Sequence, residues 1–366
     1  MKINQIIVVG LILLTAMVFG ITASGYLTLN KEEYIQVAYI SSLSGEAGVW
    51  GESLKKGFDF AVEEINQQGG INGKLIKPIY EDDECDSRKG IDAYNKVIKI
   101  NNVKIITGTV CSSVAMSVAP ITQENRILYM ASGATHPEVT KQGDLIFRIW
   151  TSDAYEAKEI AKFSVNNLEL NSFGIIYFDD NPAGIALKEN FEKTIVENNK
   201  KILISETINS KQMDFRTNIL KIINQNPEGI YVVSTPEQMP MIVNQIKSLN
   251  YKGKILLYEP SALAQGTIEK INNKESIYYP LPIIINQKNF WKDYKEKTGE
   301  DADILVSGGY DSMMLIKDGL LVCGEDNECI RDYWLSLKDY PTTRGNISYD
   351  ETGDVTGIDY EIKELN

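Results

Sequence analysis

Val103-Lys-Ile-Ile-Thr-Gly-Thr-Val-Cys-Ser-Ser113 holds the pattern that decides the fold. Val103 to Thr107 is short and nearly all apolar, as expected of a strand covered on both faces. Small polar residues follow at Cys111-Ser-Ser113, and a helix is expected from about Ser113. The same unit recurs on either side. Ile35 to Ile40 reads as a strand, and from Ser53 to Gln67 the residues Leu54, Phe58, Ala61, Val62 and Ile65 share one helix face before the stop at Gly69-Gly70. A strand at Leu75–Tyr80 precedes a helix carrying Ile91, Tyr94, Val97 and Ile98, and a further strand falls at Ile127–Met130. The rhythm resumes after Asp153 with strands at Phe173–Phe178, Ile202–Glu206, Gly229–Val233 and Lys254–Tyr258, and amphipathic helices between them, one carrying Met241, Ile242, Ile246 and Leu249. Alternating strands and helices predict parallel sheets with helices on both faces. Two such series, parted near Trp150–Asp153, predict an α/β protein of two doubly wound lobes. No solenoid period or low-complexity tract interrupts them.

The chain has 366 residues, 43% hydrophobic and 24% charged, a composition that excludes wholesale disorder and a multi-span membrane protein. Lys plus Arg number 37 against 50 Asp plus Glu, for a net charge of −13, so no nucleic-acid partner is expected. A single histidine, His136, rules out His-rich metal sites and leaves little for general acid–base chemistry. Lying between Thr135 and Pro137, it reads as a turn residue that also falls near a candidate ligand loop. Gly70-Ile-Asn-Gly-Lys74 has neither Walker A spacing nor a following Ser/Thr, since Leu75 stands there; it reads as a turn. Dinucleotide and hydrolase-elbow motifs are absent. Glu81-Asp-Asp-Glu84 lacks the EF-hand pattern and reads as a solvated strand-end turn. No catalytic residue, metal site or cofactor is expected.

Residues 1–30 begin with a lone charge at Lys2, an apolar run from Ile6 to Ile21 and the small residues Thr22-Ala-Ser-Gly25, the make-up of an export signal. The run is a little long for a cleaved signal and a little short for a membrane span, so a cleaved signal peptide and a retained anchor both stay open. No cysteine follows it to carry a lipid. Export favours disulfides among Cys85, Cys111, Cys323 and Cys329, with the local pairs 85–111 and 323–329 the simplest of three connectivities. The first would contribute ~3–4 kcal/mol in the chain-entropy picture. Without CxxC or nearby histidines, zinc is not expected. Asn346-Ile-Ser348 is a glycosylation sequon, meaningful only in a host that glycosylates exported proteins.

Three loops at expected strand carboxyl ends, Ser41-Ser-Leu-Ser-Gly45, Cys111-Ser-Ser113 and Ser132-Gly-Ala-Thr135, are rich in hydroxyls and small residues. Each alone reads as a helix cap. Together, on the edge of a parallel sheet, they form a receptor for a carboxylate.

The segments Gly45–Gly73, Asp82-Asp-Glu-Cys-Asp86, Gly108-Thr-Val-Cys-Ser-Ser113 and Ser132-Gly-Ala-Thr-His-Pro-Glu138 resemble the Leu/Ile/Val-binding proteins, type I periplasmic solute-binding proteins of ABC transporters. Tyr310-Asp311 within the apolar stretch Ile304–Leu321, and Ser348-Tyr-Asp-Glu-Thr-Gly-Asp354, extend the resemblance from about Glu33 to the C-terminus. The resemblance implies a three-crossover hinge near Thr151–Asp153, Pro280–Ile283 and Gly357–Tyr360. One lobe would then comprise residues 34–151 plus 283–358, and the other residues 152–282 plus 359–366. It also places the family's disulfide on Cys85–Cys111. It implies that Ser112, with Ser113 beside it, meets a ligand carboxylate; that Gly133 and Thr135 supply a backbone group and a hydroxyl; that Glu259 pairs with the ammonium; and that Trp50 covers the side chain. Where the family carries second-lobe aromatics, this chain has Ala183 and Thr235, which widens or polarises the pocket and puts branched-chain specificity in question. Asp179 and Asp180 lie near that rim.

The implied function is capture of an amino acid or similar small solute by hinge closure and delivery to ABC permease subunits. The protein would be a monomer in the periplasm or on the outer face of the cytoplasmic membrane. The rival is a membrane-anchored sensory ectodomain working with a separate signalling partner; an enzyme stands third. Transcription repressors of the same fold need a basic N-terminal helix-turn-helix, which this chain lacks.

Overall fold

The computed structural model describes residues 33–45, 47–259, 266–283 and 289–365. The export reading and its choice between cleaved signal and anchor fall on residues outside these ranges. Among the described residues no helix is long and apolar enough to cross a membrane.

Strands β1 (Tyr34–Ser41), β2 (Leu75–Asp82), β3 (Ile105–Gly108), β4 (Leu128–Ala131) and β5 (Ile146–Arg148) form a wholly parallel sheet in the order β2-β1-β3-β4-β5. Helices α1 (Gly48–Gln67), α2 (Ser87–Lys99) and α3 (Ser112–Glu124) connect them. Every residue of β3 and β4 is buried, which is why the opening stretch is nearly all apolar, with Lys104 just outside β3 and exposed. The face predicted for the first helix, Leu54 to Ile65, is the buried face of α1.

The chain then builds a second sheet from β6 (Ser172–Phe178), β7 (Lys201–Ile208), β8 (Gly229–Val233), β9 (Lys254–Leu257) and β10 (Ile277–Pro282). Helices α4 (Asp153–Asn166), α5 (Pro182–Glu197), α6 (Arg216–Ile223) and α7 (Gln238–Ser248) cover it. It returns to the first sheet's layer as α8 (Phe290–Thr298), α9 (Ile304–Cys323) and α10 (Asn327–Ser336), and adds a small antiparallel sheet of β11 (Tyr340–Thr342), β12 (Gly345–Tyr349) and β13 (Val355–Thr356). Finally β14 (Tyr360–Glu364) crosses back to pair antiparallel with β10, giving the order β14-β10-β9-β8-β6-β7. The chain therefore passes between the layers three times. The buried apolar residues form two clusters, one drawing on Ile35–Trp150 and Phe290–Ile358, the other on Ala157–Tyr278 and Leu365.

α9 lies against α1 with backbone touching backbone. A Cβ on Gly57 would sit 1.7 Å from the Val306 carbonyl oxygen, and one on Gly309 would sit 1.8 Å from that of Leu54. Cys85 joins Cys111 and Cys323 joins Cys329, with Cα separations of 5.5 and 5.6 Å. The first bond fastens the β2–α2 loop to the start of α3; the second closes the α9–α10 turn. Gly70–Lys74 is a turn, with Ile71 and Lys74 exchanging backbone hydrogen bonds of 2.8 and 3.0 Å.

Three parts were not anticipated: β5, the antiparallel pair β10–β14, and the β11–β13 sheet. The family resemblance placed a crossover near Pro280–Ile283, and the strand β10 carries two prolines, Pro280 and Pro282. Both lie beyond the two residues, Ile277 and Tyr278, that pair with β9, where a missing N–H leaves that ladder intact.

Candidate functional site

In each sheet the strand order reverses beside its first strand, between β1 and β3 in one and β6 and β8 in the other, opening a crevice at the carboxyl ends. The two crevices face each other across a cavity of about 430 Å³. Its first wall comes from loops after β1, β3 and β4, together with Trp50 of α1 and Trp150; its second comes from Phe178, Asp180, Asn181, Ala183, Ser210, Lys211, Thr235 and Tyr258.

Cys111, in extended conformation, is the N-cap of α3, so Ser112 and Ser113 open the helix with backbone N–H groups that have no helical acceptor. Aligned peptide dipoles add partial positive charge at the same point. A ligand carboxylate seated there would meet both amides and, from the neighbouring loop, Gly133 and Thr135, all of which line the cavity. Gly133 is needed for close packing: a Cβ would lie 3.1 Å from both the Leu54 Cδ1 and the Val110 Cγ1. The Ser112 hydroxyl accepts the His136 N–H at 3.2 Å, which ties the two loops together. His136 itself is half-buried; burial lowers its basicity, and its Nδ1 accepts the Glu138 N–H at 3.2 Å, so it serves its own turn.

The loop carrying Thr135 is clamped from below by Arg148, at the end of β5. The guanidinium is fully buried, donates to the carbonyls of Thr135 (2.9 Å) and His136 (3.0 Å), and pairs with Asp354 at 2.6 Å. A second buried cation, Arg344, donates to the Ile149 carbonyl at 2.9 Å, pairs with Asp311 at 3.4 Å and lies 4.5 Å over the Trp150 ring. Two arginines therefore hold the floor of the first lobe's crevice, each neutralised by its own carboxylate.

Of the residues singled out from the sequence, Trp50, Ser112, Ser113, Gly133, Thr135, Ala183 and Thr235 all line the cavity. Glu259 is placed differently, behind the wall next to Tyr258, fully buried. Its Oε2 accepts the Tyr360 hydroxyl at 2.6 Å, its Oε1 completes no hydrogen bond among the described residues although the Trp150 side chain acts on the carboxyl, and its backbone N–H donates to the Glu156 carboxylate. Burial pushes the Glu259 carboxyl up to about 7, against the opposing effects of Tyr360 and Arg344. Asp180 lines the rim, its carboxylate accepting the Ser210 N–H and hydroxyl at 2.8 and 2.7 Å, whereas the exposed Asp179 does not. Asn181 and Thr235 are engaged in helix starts, with Ala183 and Gln238 respectively.

The sequence reading missed Arg148, Trp150, Asp153, Glu156, Tyr258, Arg344 and Tyr360. The only local signal was the acidic i, i+3 pair Asp153 and Glu156 in the first turn of α4, where a helix dipole favours acids anyway. Of the acidic cluster near residue 82, Asp82 accepts N–H groups of Leu43 and Glu84, each at 2.9 Å, and so fastens the β1 loop; among the described residues no group of side chains is arranged to hold a metal ion.

A family model described as periplasmic binding protein matches residues 34–356. The chain is 25% identical over 336 residues to a leucine-, isoleucine-, valine-, threonine- and alanine-binding protein of Pseudomonas aeruginosa, covering 90% of this chain and 89% of that protein. It is 23% identical over 354 residues to the Leu/Ile/Val-binding protein of Escherichia coli, covering 95% of each. Among solved structures, a leucine-binding protein from Thermotoga maritima superposes with a TM-score of 0.82 at 22% identity, over 89% of this chain and 97% of that one. A solute-binding protein of an ABC transporter from Rhodopseudomonas palustris, in complex with p-hydroxybenzoic acid, also gives 0.82, at 18% identity over 91% and 93% of the two chains.

Proposed function

The chain belongs to the periplasmic binding protein family, and from that premise we propose that it captures an α-amino acid between its two lobes and presents it to the permease of an ABC transporter. The family's members are solute-binding proteins rather than enzymes, and small-solute binding in transport is common to the relatives. The observation that carries the amino-acid reading is charge placement. Donors for a carboxylate lie on the first wall, at Ser112, Ser113, Gly133 and Thr135, and a buried carboxylate, Glu259, which forms no ion pair among the described residues, lies behind the second. That pair of opposite demands, on opposite lobes, is met by a zwitterion. Ala183 and Thr235, small residues on the second wall, leave room for side chains beyond the branched-chain set. The lobes would close because a ligand touching both favours the closed arrangement by its differential affinity, the hinge motion known for this class.

A second reading has its own support. The donors of the first wall, with Trp50, Trp150 and Tyr258, suit an aromatic carboxylate without an amine. Glu259 separates the two: a carboxylate behind the wall rewards an ammonium and nothing in a benzoate. A thermal-shift screen of the exported portion should therefore show a rise with one or more of the twenty amino acids, corresponding to about 2.7 kcal/mol at a hundredfold excess over Kd. No rise with benzoate or with 4-methylpentanoate, leucine's framework without the amine, is expected. Stabilisation by the carboxylates with no response to any amino acid would overturn the amino-acid reading.

A further inference from the structure

Glu156 sits one turn into α4, buried, with its Oε1 accepting the backbone N–H of Glu259. The two carboxylates thus belong to different elements of the second lobe yet share one water-poor pocket at the hinge. Asp153 lies one turn earlier on the same helix, buried, with the Thr135 hydroxyl as a weak polar neighbour that lowers its pKa against the effect of burial. The other titratable groups facing Glu156 are the hydroxyls of Tyr231 on β8, Tyr258 after β9 and Tyr360 on β14, all neutral at physiological pH. From the first lobe's side, Arg148 acts on Asp153 and Arg344 on Glu259, but each is engaged with its own partner, Asp354 and Asp311. Among the described residues no Lys, Arg or His forms an ion pair with Asp153, Glu156 or Glu259. The amino end of α4 contributes only partial positive charge. Two full charges in one such pocket repel strongly, so the two carboxyls are not both ionised while the cleft is empty.

We propose that Glu156 and Glu259 act as one carboxyl–carboxylate pair, which keeps a proton in the empty cleft and gives it up to solvent when a ligand ammonium takes its place. The exchange balances. The singly protonated pair carries one negative charge; after binding, the doubly ionised pair and the ammonium carry the same net charge, and one proton has been released. Glu156 is therefore a specificity-determining residue that lies behind the binding surface. It raises the reward for a cationic group over a neutral hydroxyl of the same size, and it makes binding weaken in acid. Burial raises both groups above the ordinary carboxyl range, with repulsion from Glu259 added at Glu156 and from Asp153 at Glu259, in agreement with this arrangement. The ligand half of the inference rests on the amino-acid reading; the proton half does not.

Two measurements on the whole exported protein separate those halves. The first is a carbon-13 NMR titration of ligand-free protein labelled at the glutamate side-chain carboxyl carbons. Wild type should show Glu156 and Glu259 titrating in two separated steps, the upper above pH 6; in Glu156→Gln a single raised step, that of Glu259, should remain and lie below the wild type's upper step. Glutamine still accepts the Glu259 N–H, so the local fold is kept. An upper step unmoved in Glu156→Gln, or two glutamates titrating in the ordinary range, overturns the pair. The second is calorimetry with L-leucine, L-alanine and L-threonine in phosphate and Tris buffers. Wild type should release close to one proton on binding at pH 6, with Kd rising about tenfold per pH unit below the upper step. Glu156→Gln should release fewer protons and show a shallower change of Kd over the same range. Equal proton release by both proteins overturns the coupling. Failure of all three amino acids to bind overturns the amino-acid reading and the coupling with it, while the carbon titration still decides the pair.

Discussion

Glu259 and Asp153 are carboxyls held out of water with no ion-pair partner among the described residues, and burial pushes each up to about 7 against the weaker pull of Arg344 and Arg148. A group whose folded pKa is raised binds its proton more tightly when folded than unfolded. Its stabilising effect is complete below about pH 4 and is lost as pH rises through about 7. The ligand-free protein should accordingly become less stable between pH 5 and 8, by up to roughly 3 kcal/mol for each group. Asp83, pushed up to about 6 by burial, adds in the same direction. Carboxyls held below their usual range, such as Asp144 beside Arg126 and Asp82 with its backbone donors, act the opposite way only in more acid solution. Urea denaturation at four pH values from 5 to 8 checks this, and Glu259→Gln should remove a large part of the slope; an unchanged slope would place its origin elsewhere. At this scale the sequence was a partial guide. Ser112, Ser113, Gly133 and Thr135 announced themselves because they are local, small and adjacent to strand ends. Glu259 looked like an exposed strand-end acid without the family resemblance, and Glu156 showed nothing, since its role depends on β9 bringing residue 259 to it.

Among the elements, the start of α3 and the loop after β4 share the work of presenting donors, and Arg148 of β5 sets the height of that loop. β5 is three residues long, Ile146–Arg148, and so falls below what periodicity can detect. Replacing Arg148 with methionine fills much of its volume but leaves Asp354 as a partly buried charge without its Arg148 partner and frees the carbonyls of Thr135 and His136. The expected loss is about 3–5 kcal/mol of stability. The double variant Arg148→Met/Asp354→Leu should recover part of it, because the orphaned carboxylate goes too; chemical denaturation of the single and double variants measures both terms. The strands that the sequence did reveal, β1 to β4 and β6 to β9, are those buried in parallel sheets or flanked by amphipathic helices. β10 and β14 stayed hidden because their pairing is antiparallel, joins residues far apart in the chain, and includes two prolines.

For the whole molecule, the three passages between layers make a hinge, and the hydrogen-bonded line of Thr151, Tyr360, Glu259 and Glu156 runs across it. Residue 151 belongs to the first passage and residue 360 to the third, so a relative movement of the lobes must bend or break that line. Small-angle scattering on the protein with an amino acid that stabilises it should show compaction, and Tyr360→Phe should weaken the ligand's effect without abolishing the fold. Unchanged dimensions at saturation would count against closure. What the sequence by itself determined is the α/β class, the two series of parallel strands, the local cysteine pairs as the simplest connectivity, and the small polar loops that line the cavity. These follow from hydrophobic period and from turn and cap chemistry, which act over a few residues. What only the tertiary structure decided is the contents of the hinge. Arg148, Arg344, Asp153, Glu156 and Glu259 meet there from separate stretches of chain, and their charge states depend on desolvation and mutual distance, quantities that exist only once the two sheets have folded toward each other.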